Sequence, residues 1–332
     1  MDITQLLQLC RQLQASDVHI STGEAVMVRC AGNLQRLESS VCHAARVQQL
    51  LQPLCSAAAL PSLDDLAAQG ECDFALTWPE VGRLRINLFA QQRGWSAAIR
   101  LIPEQLPAWH DLGLPLVLQA WAAQPSGLVL VVGATGSGKS TTLAALLHHI
   151  NHHRAAHIIT LEDPIEYLHT PQQSLIHQRE LGLHSPSWDS ALRAALRQDP
   201  DVLLIGELRD LPSIRLALTA AETGHLVLAT LHANSAPSAL ERMVSVFPSD
   251  EQTLVRQQLA ASLVGVMAQT LCASHGQRQL VHEVLSATAA VRNVVREGRL
   301  EQLVSLMQTG AQHGMHTLAQ SLAQLSPIHA VR

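Results

Sequence analysis

The stretch Leu128-Val129-Leu130-Val131-Val132-Gly133-Ala134-Thr135-Gly136-Ser137-Gly138-Lys139-Ser140-Thr141 decides the fold. Five apolar residues run into a glycine-rich loop that fits G-x-x-x-x-G-K-[ST]. Thr142-Leu-Ala-Ala-Leu-Leu147 then has the composition of a helix. Strand, loop and helix in that order are the setting in which such a loop wraps the phosphates of a nucleoside triphosphate. Glycines let backbone N–H groups converge on the anion, and the helix N-terminus adds partial positive charge. Residues 133–141 are therefore the candidate nucleotide cradle. The spacing places Lys139 on the β/γ-phosphates and the Ser140 hydroxyl on Mg²⁺.

Working outward, the sheet around this loop reads as parallel. His157–Leu161, Asp201–Ile205 and Leu226–Thr230 are further buried-type strands, alternating with helical segments from Gly113 onward. That alternation predicts an α/β domain over 113–332, with ligands beyond the carboxyl ends of the strands. After Thr230 the pattern turns mainly helical. Ser249-Asp-Glu-Gln252 matches a capping box ahead of a helix reaching Ala273, and Thr288–Glu297 predicts another, closed by Gly298. Residues 1–101 read as a smaller α+β domain. Ile3–Leu13 and Val47–Leu60 have helical spacing. Asp17–Ile20, Ala25–Arg29, Phe74–Trp78 and Arg83–Phe89 have strand spacing. The proline-bearing 102–112 is the expected linker.

Composition narrows the function classes. Of 332 residues, 47% are hydrophobic and 15% charged, which is enough apolar material for large cores and unlike a disordered chain. The net charge of −5 implies no broad basic surface, which makes nucleic acid an unlikely partner. Six scattered cysteines form no C-x-x-C pair, so no zinc site is signalled. The N-terminus has no basic region or cleavage site of a signal peptide. The most apolar helical stretch, Leu259–Ala273, is short of a membrane span and carries Gln269. A cytoplasmic protein is expected, one that can sit against a membrane machine.

Three segments beyond the loop carry candidate chemistry. Ile158-Ile-Thr-Leu-Glu162-Asp163-Pro-Ile-Glu166 delivers carboxylates to the end of a buried strand. Hydrolysis needs a carboxylate to orient water, and Glu162 is the candidate base, with Asp163 or Glu166 in support. Asp201-Val-Leu-Leu-Ile-Gly206-Glu207 resembles a Walker B strand, but Gly206 stands where many phosphate-loop enzymes place a magnesium-binding Asp. Glu207 is left as the metal or water partner. In Thr223-Gly-His225-Leu-Val-Leu-Ala-Thr230-Leu-His232, a histidine stands at each end of a strand. Thr230 or His232 is placed to sense the γ-phosphate.

Read together, G-A-T-G-S-G-K-S-T-T, L-E-D-P-I-E, L-I-G-E-L-R-D and T-G-H-L-V-L-A-T-L-H resemble, in order, the phosphate loop, Asp box, Walker B and His box of the secretion ATPase superfamily, whose members power type II secretion and type IV pili. The resemblance runs from Ala15-Ser-Asp-Val-His-Ile20 to about Leu322. It implies a RecA-like P-loop NTPase domain preceded by a PAS-like α+β domain, a homo-hexamer using ATP and Mg²⁺ with ATP held between the domains, and an inner-membrane platform protein as partner. Three features are similar to the pilus-retraction branch: the absence of a long N-terminal extension, the missing tetracysteine zinc site, and Ala290-Val-Arg-Asn-Val-Val-Arg-Glu297. The retraction branch has A-I-R-N-L-I-R-E at the last of these. Power for type II secretion or pilus assembly, a non-catalytic nucleotide-binding paralogue and a DNA-handling motor are the competing readings.

Val291, Val294 and Val295 make one apolar helical stripe, flanked by Arg292, Asn293, Arg296 and Glu297. The resemblance makes this the helix that transmits motion to the partner. It also implies that arginines of the N-terminal domain reach the nucleotide, which points to Arg83, Arg85, Arg93 and Arg100. Arg83 and Arg85 share one strand face while Leu84, Ile86 and Leu88 share the other. Finally, His148, His149, His152, His153 and His157 include i,i+4 spacings able to hold zinc on a helix. No carboxylate completes a known signature, so the cluster reads as the exposed end of the helix after the loop.

Overall fold

The computed structural model describes residues 1–66, 70–103, 106–274 and 277–325. Contacts divide the chain into two compact units. The first is Met1–Leu106 with Pro164–Leu168, and the second is Pro107–Asp163 with His169–Arg332. Of the linker expected at 102–112, residues 104 and 105 lie outside the described residues.

The first unit opens with helix α1 (Ile3–Gln12), started by a capping box. The Asp2 carboxylate accepts the Gln5 N–H at 2.9 Å and the Gln5 side chain accepts the Asp2 N–H at 3.0 Å. Strands β1 (Ala15–Ser21), β2 (Ala25–Cys30) and β3 (Asn33–Val41) precede helices α2 (Ala44–Ala57) and α3 (Leu63–Leu66); β4 (Glu71–Trp78), β5 (Gly82–Gln91) and β6 (Gly94–Leu101) follow. They form one antiparallel sheet, ordered β3-β2-β1-β6-β5-β4. Strand β5 alternates as its sequence dictates. Leu84, Ile86 and Leu88 are fully buried beside Leu6, Leu7, Leu50 and Leu54, and Arg83 and Arg85 stand on the other face.

The second unit holds α4 (Val117–Ala122), β7 (Gly127–Val132), α5 (Lys139–His153), β8 (His157–Glu162), β9 (Leu175–Glu180), α6 (Trp188–Ala195), β10 (Val202–Ile205), α7 (Leu211–Glu222), β11 (Leu226–Leu231), α8 (Ala236–Ser245), α9 (Gln252–Ser262), β12 (Leu263–Ser274), β13 (Gln277–Ser286), α10 (Ala289–Glu297), α11 (Leu303–Thr309) and α12 (Leu318–Leu325). The sheet order is β13-β12-β7-β11-β10-β8-β9, parallel except for the final β12–β13 pair. Every residue of β7 and of β11 is buried, the pattern of interior parallel strands.

Two expectations fail after residue 230. The helix expected to reach Ala273 ends at Ser262. From Leu263 the chain is strand β12, pairing with β7 and then turning into β13. An unbroken apolar run does not distinguish a buried strand from a buried helix, and here pairing to the free edge of β7 wins. The capping box expected at Ser249–Gln252 is also absent. Helix α9 starts at Gln252 with Glu251 as an N-cap lacking a side-chain bond, and the Gln252 amide donates to the Phe247 carbonyl at 3.1 Å.

Candidate functional site

Strand β7 leads straight into the loop and α5 leads straight out of it. Gly133 has φ of 153°, and a Cβ there would lie 2.4 Å from the Gln269 carbonyl oxygen and 2.6 Å from Ser137 Oγ. Only glycine fits that turn. Lys139 opens α5 and folds back over the loop, its Nζ donating to the Gly133 and Ala134 carbonyls at 2.9 Å each. Ala134, Thr135, Gly136 and Ser140 are exposed, with Gly138, Lys139 and Thr141 half-buried. Ser137 Oγ is buried without a hydrogen-bond partner among the described residues. An orphan hydroxyl, a folded-in ammonium and the N-terminus of a 15-residue helix in one loop fit a polyphosphate anion.

Sequence reasoning missed the residue that braces this loop from behind. Gln269, on β12, is 4% exposed. Its Nε2 donates to the Ser137 carbonyl at 2.7 Å, and its Oε1 accepts the Thr142 hydroxyl at 2.9 Å. The signal was a single amide inside an apolar run. It counted only against a membrane span, because the residues it touches are far away in sequence.

The candidate carboxylates emerge where the parallel sheet places ligands. Leu161 of β8 pairs with Ile205 of β10, so Glu162 and Glu207 leave the carboxyl ends of adjacent strands. Glu162 Oε1 accepts the Thr160 hydroxyl at 2.7 Å and the Gln178 amide at 3.1 Å, which fixes the carboxylate's orientation. Glu207 meets His232 Nε2 at 3.2 Å through Oε1 and accepts Arg209 Nε at 2.9 Å through Oε2. Arg209 also lies 3.8 Å from Asp163. The site is thus a charged chain, Asp163–Arg209–Glu207–His232, beside Glu162. His232 stands at the carboxyl end of β11. His225 stands at the opposite end, with Nδ1 2.9 Å from the Ala220 carbonyl at the close of α7. Thr230 donates its hydroxyl to the Gly206 carbonyl and ties β11 to the end of β10.

The four arginines divide into two pairs. Arg83 donates Nε and Nη2 to the Ile165 carbonyl at 3.1 and 2.8 Å, and Arg85 pairs with Glu166 at 3.1 Å. Both therefore hold the short segment that follows Glu162 and Asp163 in the chain, and Glu166 is engaged there. Arg93 pairs with exposed Glu24 at 2.8 Å, and Arg100 pairs with Asp17 at 2.9 Å.

On α10, Val291, Val294 and Val295 are buried, while Asn293, Arg296 and Glu297 are exposed. Thr288 caps the helix and Gly298 closes it at φ of 74°. Arg292 is turned inward. Its Nη1 donates to the Ala260 and Ala261 carbonyls at 2.6 Å each, and its Nε donates to the Ala287 carbonyl at 3.1 Å. It covers the C-terminal carbonyls of α9, where a cation offsets the helix dipole.

A family model described as type II/IV secretion system protein matches residues 1–320. The type IV pilus retraction ATPase PilT of Pseudomonas aeruginosa is 43% identical, covering 98% of this chain and 94% of its own. A protein of Escherichia coli, described as uncharacterized protein YggR, is 47% identical over 97% of both chains. The crystal structure of the pilus retraction motor PilT with bound ADP superposes with a TM-score of 0.87 at 39% identity, covering 98% of this chain and 93% of that one.

Proposed function

The chain belongs to the type II/IV secretion system protein family, and from that premise we propose that it is an ATP-hydrolysing motor that drives retraction of a type IV pilus. The observation that carries the reading is the loop at 133–141, with Glu162 and Glu207 at the ends of neighbouring strands. Near-full-length similarity to PilT supports the choice of task.

Backbone groups of 133–138 and the start of α5 hold the triphosphate. Lys139 exchanges its two loop carbonyls for phosphate oxygens. Ser140 and Glu207 would hold Mg²⁺, which supplies charge neutralisation between the phosphates when bound. Glu162, oriented by Thr160 and Gln178, takes a proton from the attacking water as the bond to ADP breaks and phosphate leaves. His232, 3.2 Å from Glu207, reports the loss of γ-phosphate charge to the end of β11. Of the N-terminal arginines, Arg83 and Arg85 are the better triggers. A guanidinium fork released from the 165–166 segment matches phosphate oxygens, whereas Arg93 and Arg100 sit in surface pairs.

A homo-hexamer at the inner membrane, pressed on a platform protein through the exposed residues of α10, completes the proposal. Among the described residues no helix is long and apolar enough to cross a membrane. Lys139→Ala should abolish turnover. Glu207→Ala should still bind ATP but hydrolyse it about 10²-fold more slowly. A deletion strain should carry long, unretracted pili and lose twitching. Short or absent pili in that strain would transfer the assignment to assembly.

A further inference from the structure

Helix α5 ends in four histidines, His148, His149, His152 and His153. Side chains four apart on a helix face each other. The rings of His148 and His152 have centroids 4.1 Å apart and planes inclined at 46°; those of His149 and His153 are 4.3 Å apart and more nearly parallel, at 29°. His152 Nδ1 lies 2.9 Å from the His148 carbonyl oxygen. A carbonyl can only accept, so Nδ1 carries the hydrogen, and in the neutral ring Nε2 is left with the lone pair. One ring N–H anchored on a backbone oxygen and the other nitrogen free is how metal-binding histidines are oriented. His148 and His152 are both exposed, so an ion can reach them.

We propose that His148 and His152 form a two-point chelate for a divalent first-row transition ion of the imidazole-preferring class, copper(II), nickel(II) or zinc(II), separate from the magnesium of the phosphate loop. In this proposal one nitrogen from each of the two inclined rings would bind the same ion, at bonds of about 2.0–2.1 Å. The flatter stack of His149 and His153 is less suited to that. Among the described residues no group of three or more His, Cys, Asp or Glu side chains could hold a metal ion, so the proposed chelate has two protein ligands only. Such a donor set discriminates against Mg²⁺, which takes oxygen ligands. The spacing offered no carboxylate to complete a known signature; the fixed tautomer of His152 adds an orientation to that spacing, and His153 shares it through Nδ1 2.8 Å from the His149 carbonyl oxygen, so the inclination of the rings is what separates the two pairs. The chelate spans the last turns of the helix that begins with Lys139 and Ser140, so the ion clamps the far end of the element that carries the nucleotide-binding residues.

The test is calorimetric titration of the untagged full chain with Cu²⁺, Ni²⁺ and Zn²⁺ salts, with Mg²⁺ as control and no nucleotide. Copper spectra should report two nitrogen ligands, and each transition ion should raise the Tm. His148→Gln and His152→Gln should each weaken copper binding at least about tenfold. The double variant His149→Gln/His153→Gln should leave it unchanged. Both residues of the proposed pair are exposed, and circular dichroism of each variant is the check that it folds. No copper uptake at millimolar ion, or uptake that survives in the double variant His148→Gln/His152→Gln, overturns the site.

Discussion

Gly206 occupies the place where many phosphate-loop enzymes carry a magnesium-binding aspartate, and the strands around it account for the difference. A Cβ at this position would stand 3.2 Å from the Leu161 carbonyl oxygen and 3.4 Å from the Glu162 Cα. A larger residue would press on the strand that presents the candidate base. Gly206→Asp should therefore lower both Tm and turnover rather than improve metal binding, and parallel melting and phosphate-release assays would show it. Gln269 gives a second test. Gln269→Leu leaves the Ser137 carbonyl and the Thr142 hydroxyl without their buried partner, at about 1–3 kcal/mol. The expected outcome is a lower denaturation midpoint and weaker ATP binding in calorimetry. Unchanged nucleotide affinity in a folded Gln269→Leu protein would mean that the brace is structural only. The strand–loop–helix at 128–147 was legible in the sequence because it is built from consecutive residues. Gln269 was not, since Ser137 lies 132 positions away and no local pattern records that distance.

At the scale of elements, the strands β4 and β5 and the Gly298 close of α10 were readable, whereas the Ser249 capping box and the edge strand β3 were not. Strand β5 announced its buried face through Leu84, Ile86 and Leu88. Strand β3, at the edge of its sheet, has no buried residue, and its sequence accordingly offers no apolar alternation to detect. The run after Ser262 erred in the opposite way, apolar on both faces and so compatible with either period. Helix α10 was placed within a residue of its ends, yet Arg292 proved to face inward onto the end of α9. Arg292→Ala should uncover the Ala260 and Ala261 carbonyls, costing about 1–3 kcal/mol as a loss of Tm. Arg292→Lys should recover only part, because an ammonium cannot reproduce the fork. If Arg292→Ala melts like the parent while pilus retraction fails, the residue serves the partner instead.

Over the whole molecule, three histidines contribute to the response to acid. Burial, followed by the neighbouring His316, holds His282 down at about 4, and burial, followed by His148, does the same for His169. His316 is lowered as well, chiefly by burial. These rings are held neutral in the fold, whereas in the unfolded chain they titrate at the usual value of about 6.5. The unfolded state therefore takes up protons first. Their contribution to stability is complete above about pH 6.5 and falls as the pH drops toward 4. Denaturant midpoints measured across that window should decline, and His169→Gln should flatten the slope; a midpoint independent of pH would show that these rings do not govern it.

The first compact unit is not one continuous length of chain, since it takes in residues 164–168 as well as the first 106. A clone stopped at Leu106 would strand Arg83 and Arg85 with no Ile165 carbonyl or Glu166 carboxylate to grasp. The complementary clone would carry an orphaned pentapeptide in its middle. Neither half should survive excision as well as it does in the parent, so expression of the isolated N-terminal piece should give a less cooperative melt, restored when a synthetic peptide spanning 164–168 is added.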